Sequence, residues 1–474
     1  MTTTDTSATQ SHFQRHRLSR WLVNPSHHML LWVMFGALLA LFWLIAWRGL
    51  DPDFGWHLQA GNYIRAHGIP AHDIFTYTAR QFPWIDHEWG NDVIVSFIYG
   101  WGGYAFLALL YGALWAGALL VCGLRARISV IGIALLAVSS YAGIRPIAWT
   151  ALFFAVTLRA LMWQNRRAVW LLPLLFVVWA NLHAGFVVGL AVIFYVAIYR
   201  RRPALFGVFA LSTLATIINP YGLRLYTEVG RTLFDPTLHY QVMEWTPFSL
   251  KAASALFIVL WLSGSILFEK HTLKQLLRPS NILLLGALSA TRNVPLFVIA
   301  GTGELNHMAT QFVQTIPKHL SRTGRHWLTG MKLGFALITL YCAFLSFWPL
   351  HTSREATYPV AAVAYLRTNG CEGGRLLNDY AYGGYLIWQL PTQPVYIDGR
   401  MPSWRDATGQ KYMTQYYALL AQPSRYSAVF PKYNMRCSLL QKTRTNIGLI
   451  RLLQHDGWTT TIQTEDYVLQ MKPQ

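Results

Sequence analysis

Six of the chain's 20 acidic residues fall between positions 51 and 92: Asp51, Asp53, Asp73, Asp86, Glu88 and Asp92. The same stretch carries His57, His67, His72 and His87, with only Arg65 and Arg80 as full cations, in a protein of formal net charge +19. Carboxylates gathered in this way bind a cation, pair with a base or take up a proton during a reaction. In "LDPDFGWHL" (50–58) Asp51 is suited to cap a helix whose first residue is Pro52. Such a helix puts Asp53 and His57, four residues apart, on one face beside Trp56. Capping accounts for Asp51 and leaves Asp53 for chemistry. In "WIDHEWGND" (84–92) Asp86, His87 and Glu88 are consecutive between Trp84 and Trp89. Tryptophans favour a membrane interface and also stack on sugar rings. Glu88 is a candidate second carboxylate facing Asp53, as a metal partner or a brace; the plainer alternative is an interfacial helix capped by Asp86.

Three basic groups complete the candidate set: Arg145 in "GIRP", His183 in "WANLHAG" and Arg292 in "ATRNVP". A guanidinium binds phosphate through two parallel hydrogen bonds, so Arg145 and Arg292 are candidate phosphate ligands. Structural ion pairing is the alternative for both. A segment from 219 to 251 opens with the turn signal "NPYG" and holds Glu228, Glu244 and Trp245; it either covers the site or merely connects two helices.

These residues need a scaffold, and composition names one. The chain is 54% hydrophobic and 12% charged, about half the charge of an ordinary soluble protein. Apolar runs at 29–47, 104–123, 129–143, 147–163, 169–181, 185–199, 204–218, 253–268, 281–290, 294–303 and 328–350 predict about eleven transmembrane helices. The first has no small-residue cleavage pattern after it and reads as a retained helix. Arg15, Arg17, Arg20, Arg125, Arg127, Arg166, Arg167, Arg200–Arg202, Lys270, Lys274, Arg278, Lys318, Arg322 and Arg325 then share one side, which the positive-inside rule makes cytoplasmic. The acidic loop (48–103), the 219–251 segment and the tail after 350 lie outside, and Arg145, His183 and Arg292 sit at outer helix ends. The expected organisation is a basic cytoplasmic segment (1–28), a transmembrane domain (29–350) and an extracytoplasmic tail (351–474). In the tail, 375–378 reads as a strand, 382–389 as a helix and 395–398 as a strand, a small α/β domain.

Scattered cations without a base-reading motif exclude nucleic acid as partner. No Walker loop, dinucleotide fingerprint, nucleophile elbow or zincin motif is present. Cys122 and Cys342 fall in apolar runs, whereas Cys371 and Cys437 lie in the tail, where an oxidising space would permit a disulfide. Asp398 and Arg400 form a local salt bridge or bind an acceptor glycan.

The segments "DPDFGWHLQAGNYI" (51–64), "PAHDIFTYT" (70–78), "WIDHEWGNDV" (84–93), "WANLHAG" (179–185), "INPYG" (218–222) and "LLNDYAYGGYLIWQLPTQPVYIDGR" (376–400) run the length of the chain. With a first membrane helix, an acidic outer loop and an outer C-terminal domain, they resemble the GT-C superfamily of membrane glycosyltransferases. That superfamily includes protein O-mannosyltransferases, oligosaccharyltransferases and aminoarabinose transferases; the resemblance is closer to an uncharacterised bacterial group. It implies a sugar donor on a polyprenyl phosphate or pyrophosphate and inverting transfer to a glycan, lipid or protein outside the bacterial cytoplasmic (inner) membrane. It also implies that Asp53 or Asp51 binds a divalent metal (Mg or Mn) or acts as base, and that Arg145 and Arg292 hold the leaving phosphate. His57, Asp86, His87, Glu88, His183 and Glu244 support the site, with Trp84 and Trp89 as stacking surfaces. A transporter of lipid-linked saccharides and a non-catalytic assembly protein are the competing classes. Ionisable groups gathered at one membrane face favour the enzyme.

Overall fold

The computed structural model describes residues 25–123, 126–162, 167–250, 253–269, 271–316, 321–347 and 357–473. Arg15, Arg17, Arg20, Arg125, Arg166, Lys251, Lys270 and Lys318 lie outside the described residues. Helix α1 (Pro25–Arg48) leads into α2 (Phe54–His67), and an irregular stretch leads to α3 (Trp89–Gly123). There follow α4 (Ile128–Ser139), α5 (Ile147–Met162), α6 (Leu172–Leu182), α7 (Phe186–Tyr199) and α8 (Ala204–Ala215). After α9 (Arg224–Leu233), α10 (Ala255–Phe268), α11 (Pro279–Ser289), α12 (Val294–Thr315) and α13 (Arg322–Phe347) complete the helical body.

Each of the eleven apolar runs is occupied by a helix. Among the described residues one of them, α3, is long and apolar enough to cross a membrane, with 35 residues; shorter apolar helices of 10–17 residues accompany it. The expected start of this helix at 104 marks a kink instead. Gly103 has φ 65° and ψ −162°, a conformation open to glycine, and helix continues on both sides. The acidic loop therefore ends by entering α3 at Trp89.

The tail builds α14 (Val360–Asn369), β1 (Arg375–Asn378), α15 (Gly383–Gln389), α16 (Tyr412–Ala421) and α17 (Tyr426–Tyr433). It closes with β2 (Met435–Gln441), α18 (Ile447–His455), β3 (Thr459–Gln463) and β4 (Tyr467–Met471). The strand order is β1-β2-β4-β3, with β1 and β2 parallel and the other pairs antiparallel. Cys371, in the turn between α14 and β1, and Cys437 of β2 form a disulfide. The expected strand at 395–398 is not part of this sheet. Val395 pairs across to the acidic loop, donating to the Phe75 carbonyl at 3.0 Å and accepting from the Tyr77 amide at 3.1 Å.

Two cores result. One is made by the helical body. The other is centred on the tail sheet and includes Trp56, Ala60, Tyr77, Phe82 and Trp84 from the loop after α1. At their junction Gly55 of α2 and Gly384 of α15 meet backbone to backbone; a Cβ on either would overlap the other chain segment. The glycines of "YGGY" are thus required by close approach.

Candidate functional site

Helix α2 starts at Phe54, two residues later than expected, and Asp53 holds its N-cap position without a side-chain cap bond. Asp51 does cap-like work one turn earlier: its Oδ1 accepts the Asp53 amide at 2.9 Å. Its Oδ2 accepts from Arg145 Nε. The Asp53 carboxylate is half-buried and accepts the Trp56 indole N–H at 2.9 Å. Burial, reinforced by the negative charge of Asp51, pushes its pKa from 3.8 up to about 6.

His57 lies one turn along α2, as the spacing predicts, but it bonds elsewhere. Its Nδ1 meets Asp92 Oδ1 at 2.6 Å, and its Nε2 stands 3.8 Å from Glu88 Oε2. Asp92 enters from the first turn of α3, fully buried. Glu88 is the meeting point of the histidines: Oε1 lies 3.4 Å from His183 Nε2 and 3.6 Å from His87 Nε2. His183, just past the end of α6, is oriented through Nδ1 by the Thr150 hydroxyl at 2.6 Å. Burial lowers the pKa of His57 and of His87 to about 4 and that of His183 well below 6.5, so the imidazoles are neutral at pH 7. Burial and the charges of Asp92, Asp86 and Asp53 raise Glu88 well above the usual carboxylate range. Asp86 is buried and raised for the same reason, with Asp92 as its chief charged neighbour; its Oδ1 accepts the Glu88 amide at 3.1 Å.

The two arginines divide their labour. Arg145 is bound to Asp51 on one side and to Glu244 at 2.5 Å on the other. Structural ion pairing, the alternative to a phosphate contact, is what the structure shows at Arg145, with carboxylates at Nε and Nη1. Arg292 is half-buried, stacks on the Trp245 ring at 4.5 Å and pairs with no carboxylate among the described residues. Its positive charge acts on Glu88, His87 and His183, which places it at the same cluster.

The 219–250 segment contacts both the cluster and the tail. Glu244 and Trp245 come from it, and Thr291 beside Arg292 donates its amide to the Thr246 carbonyl at 3.0 Å. Asp235 of this segment forms a buried ion pair with Lys411 of the tail and accepts the Ser403 hydroxyl at 3.0 Å. The acidic loop, this segment and the tail are thus joined around the cluster by ion pairs.

Of the two tryptophans, Trp84 already has its ring occupied, whereas Trp89 is half-buried. Trp84 is buried against the Arg400 guanidinium at 4.5 Å, and Trp89 donates its indole N–H to Asn181 at 3.0 Å. Arg400 and Asp398 do form a salt bridge, at 2.7 Å, but Arg400 also reaches Asp73 of the acidic loop at 2.7 Å. Its side chain is 3% exposed, which leaves no surface for a glycan.

A divalent ion at Asp51 and Asp53 does not fit this arrangement. Both Asp51 oxygens are engaged, one by a guanidinium that would repel a cation. Among the described residues no group of three or more His, Cys, Asp or Glu side chains is placed to hold a metal.

Asp92, Asp73 and Tyr380 escaped assignment from sequence. Asp92 follows Glu88 by four residues, so a helix through both was a usable signal; its partner His57 is 35 positions away and gave none. Tyr380 of the tail comes close enough to Asp53 and Glu244 to feel both charges.

No protein-family model matches the chain, and no curated protein sequence does. Solved structures do match. The Archaeoglobus fulgidus oligosaccharyltransferase tethered with an acceptor peptide containing the NVT sequon aligns with TM-score 0.55 and 12% identity, over 89% of this chain and 70% of that one. Its apo form aligns over the same shares with TM-score 0.51 and 12% identity. The fold is GT-C-like. ArnT from Cupriavidus metallidurans, bound to undecaprenyl phosphate, aligns with TM-score 0.49 and 13% identity over 93% of this chain and 99% of that one. The residues of the cluster come from the acidic loop and the first turn of α3, from the turns at the start of α5, the end of α6 and the start of α12, and from the 219–250 segment.

Proposed function

We propose that the chain is a glycosyltransferase of the bacterial cytoplasmic (inner) membrane that moves a sugar from a polyprenyl-phosphate or pyrophosphate donor to an extracytoplasmic glycan, lipid or protein, with inversion. One run of contacts carries the reading: Arg292, with no carboxylate partner among the described residues, stacks on Trp245, the adjacent Glu244 pairs with Arg145, and Arg145 pairs with Asp51 beside Asp53, a carboxylate whose pKa is raised to about 6. A base and a nearby cation are what displacement of a phosphate requires. Asp53 takes the proton of the acceptor hydroxyl. The acceptor oxygen bonds to the anomeric carbon as the bond from that carbon to the phosphate oxygen breaks. The electron pair leaves with the phosphate, whose charge Arg292 holds. The neutral imidazoles around Glu88 keep the cluster from adding positive charge near the base.

Further support comes from the tail. The Cys371–Cys437 disulfide suits an oxidising compartment, which agrees with a cytoplasmic N-terminus, a transmembrane domain over 29–350 and an extracytoplasmic domain over 351–474. The test is purified protein in lipid nanodiscs with a panel of polyprenyl-phosphate and pyrophosphate sugars, scoring release of the free lipid phosphate. Slow transfer to water makes a known acceptor unnecessary. Release lost in Asp53→Asn supports the reading; release unchanged in that variant sinks it.

A further inference from the structure

Among the joints between the tail and the acidic loop is Gly399, between Asp398 and Arg400. Its neighbours are fixed. Asp398 is fully buried, and its Oδ1 accepts the Arg400 amide at 3.0 Å and Nε at 2.9 Å. The Arg400 guanidinium is then anchored by Asp73 and packed against Trp84, Phe75, Trp404 and Trp56. With both sides held, the Gly399 backbone is pressed against Asp53: a Cβ there would overlap the Asp53 carboxylate oxygen Oδ1. That oxygen is the same one that accepts the Trp56 indole N–H. Trp56 is in turn one of the four rings around Arg400.

We infer that the Asp398–Gly399–Arg400 turn of the C-terminal domain is a positioning device for the Asp53 carboxylate. Gly399 walls one side of the carboxylate directly, and Arg400 holds the indole that bonds it from another. The inference rests on Asp53 acting as the base. A tail domain is then part of the chemistry of the first loop, which sets a limit on what can be separated: the loop carries the base, and the tail carries its orientation.

Reorientation of a reacting group by about 1 Å costs on the order of 10²-fold in rate. Gly399→Ala is therefore expected to lower kcat about 100-fold in the nanodisc assay, with KM for the lipid donor within about threefold of wild type. The acid limb of its pH–rate profile should move above about 6, because a displaced carboxylate loses the Trp56 hydrogen bond that lowers its pKa. Hydrogen exchange of α2 and of the tail sheet reads docking independently. Retained protection with the lowered kcat and shifted limb supports the inference; retained protection with wild-type kcat and profile overturns it. Should Gly399→Ala lose protection, Trp56→Phe takes its place, keeping a ring under Arg400 while removing the indole N–H. The same shift is expected there, and an unchanged profile overturns the inference. Asp53→Asn, run in parallel, separates the two ideas. Full activity in that variant would remove the base itself, whereas an inactive Asp53→Asn beside a wild-type Gly399→Ala removes only the positioning.

Discussion

Arg400 of the C-terminal domain and Asp73 of the acidic loop form a buried ion pair at 2.7 Å across 327 positions of sequence. Asp398 closes the triad, and four aromatic rings surround the guanidinium. The loop and the tail are thereby one folded unit with one core.

Breaking such a triad strands buried charge. Arg400→Ala should destabilise the loop–tail unit by about 3–5 kcal/mol, since two carboxylates lose their cation without regaining water. Denaturant titration followed by protease sensitivity of the tail measures this. A change below about 1 kcal/mol would show that the triad contributes little.

Asp53 links pH to both rate and stability. As a base it works deprotonated, so kcat/KM should fall as pH drops through about 6, and Asp53→Asn should lose about 10²- to 10⁴-fold. For stability the sign is opposite. Its folded pKa lies above 3.8, so the folded state binds more protons between pH 4 and 6 and loses stability as pH rises through that window. Asp53→Asn should accordingly melt at a higher temperature than wild type at pH 7 and at the same temperature below pH 4. Thermal scans at both pH values check this.

Arg292 should be the cation that phosphate needs, and Arg145 should not. Loss of a charge-assisted bond costs about 1.5–3 kcal/mol. Arg292→Ala should therefore weaken competitive inhibition by polyprenyl phosphate about 10- to 150-fold, measured as Ki. Arg292→Lys should recover little, because lysine neither forks nor stacks flat on Trp245. Equal Ki values for wild type and Arg292→Ala would remove phosphate from this position.

The disulfide closes a loop of 66 residues between Cys371 and Cys437. Chain entropy alone makes its loss worth about 4 kcal/mol. Cys371→Ser paired with Cys437→Ser should lower the tail's denaturation midpoint, and reductant should do the same to wild type. Identical midpoints with and without reductant would contradict this.

Much of the scaffold was legible in the chain. Each apolar run is occupied by a helix, because a continuous apolar stretch that satisfies its own backbone hydrogen bonds locally does so as a helix. Asp53 and His57 lie one helical turn apart, a local property of 3.6 residues per turn. The β1 strand and the helix after it were legible for the same local reason.

The partners were not. Asp53 and His57 share a helix turn, yet His57 chose Asp92, and Arg145 went to Asp51 and Glu244 instead of staying free. Val395 extends as its residues prefer, but it pairs with the acidic loop and not with its own sheet. Local sequence determines backbone preference and which positions face one way, because those depend on neighbours within a turn or two. Which buried charge meets which depends on three distant segments being desolvated together. Once water is excluded an unpaired charge is so costly that the packing, and not the spacing, decides the pairs.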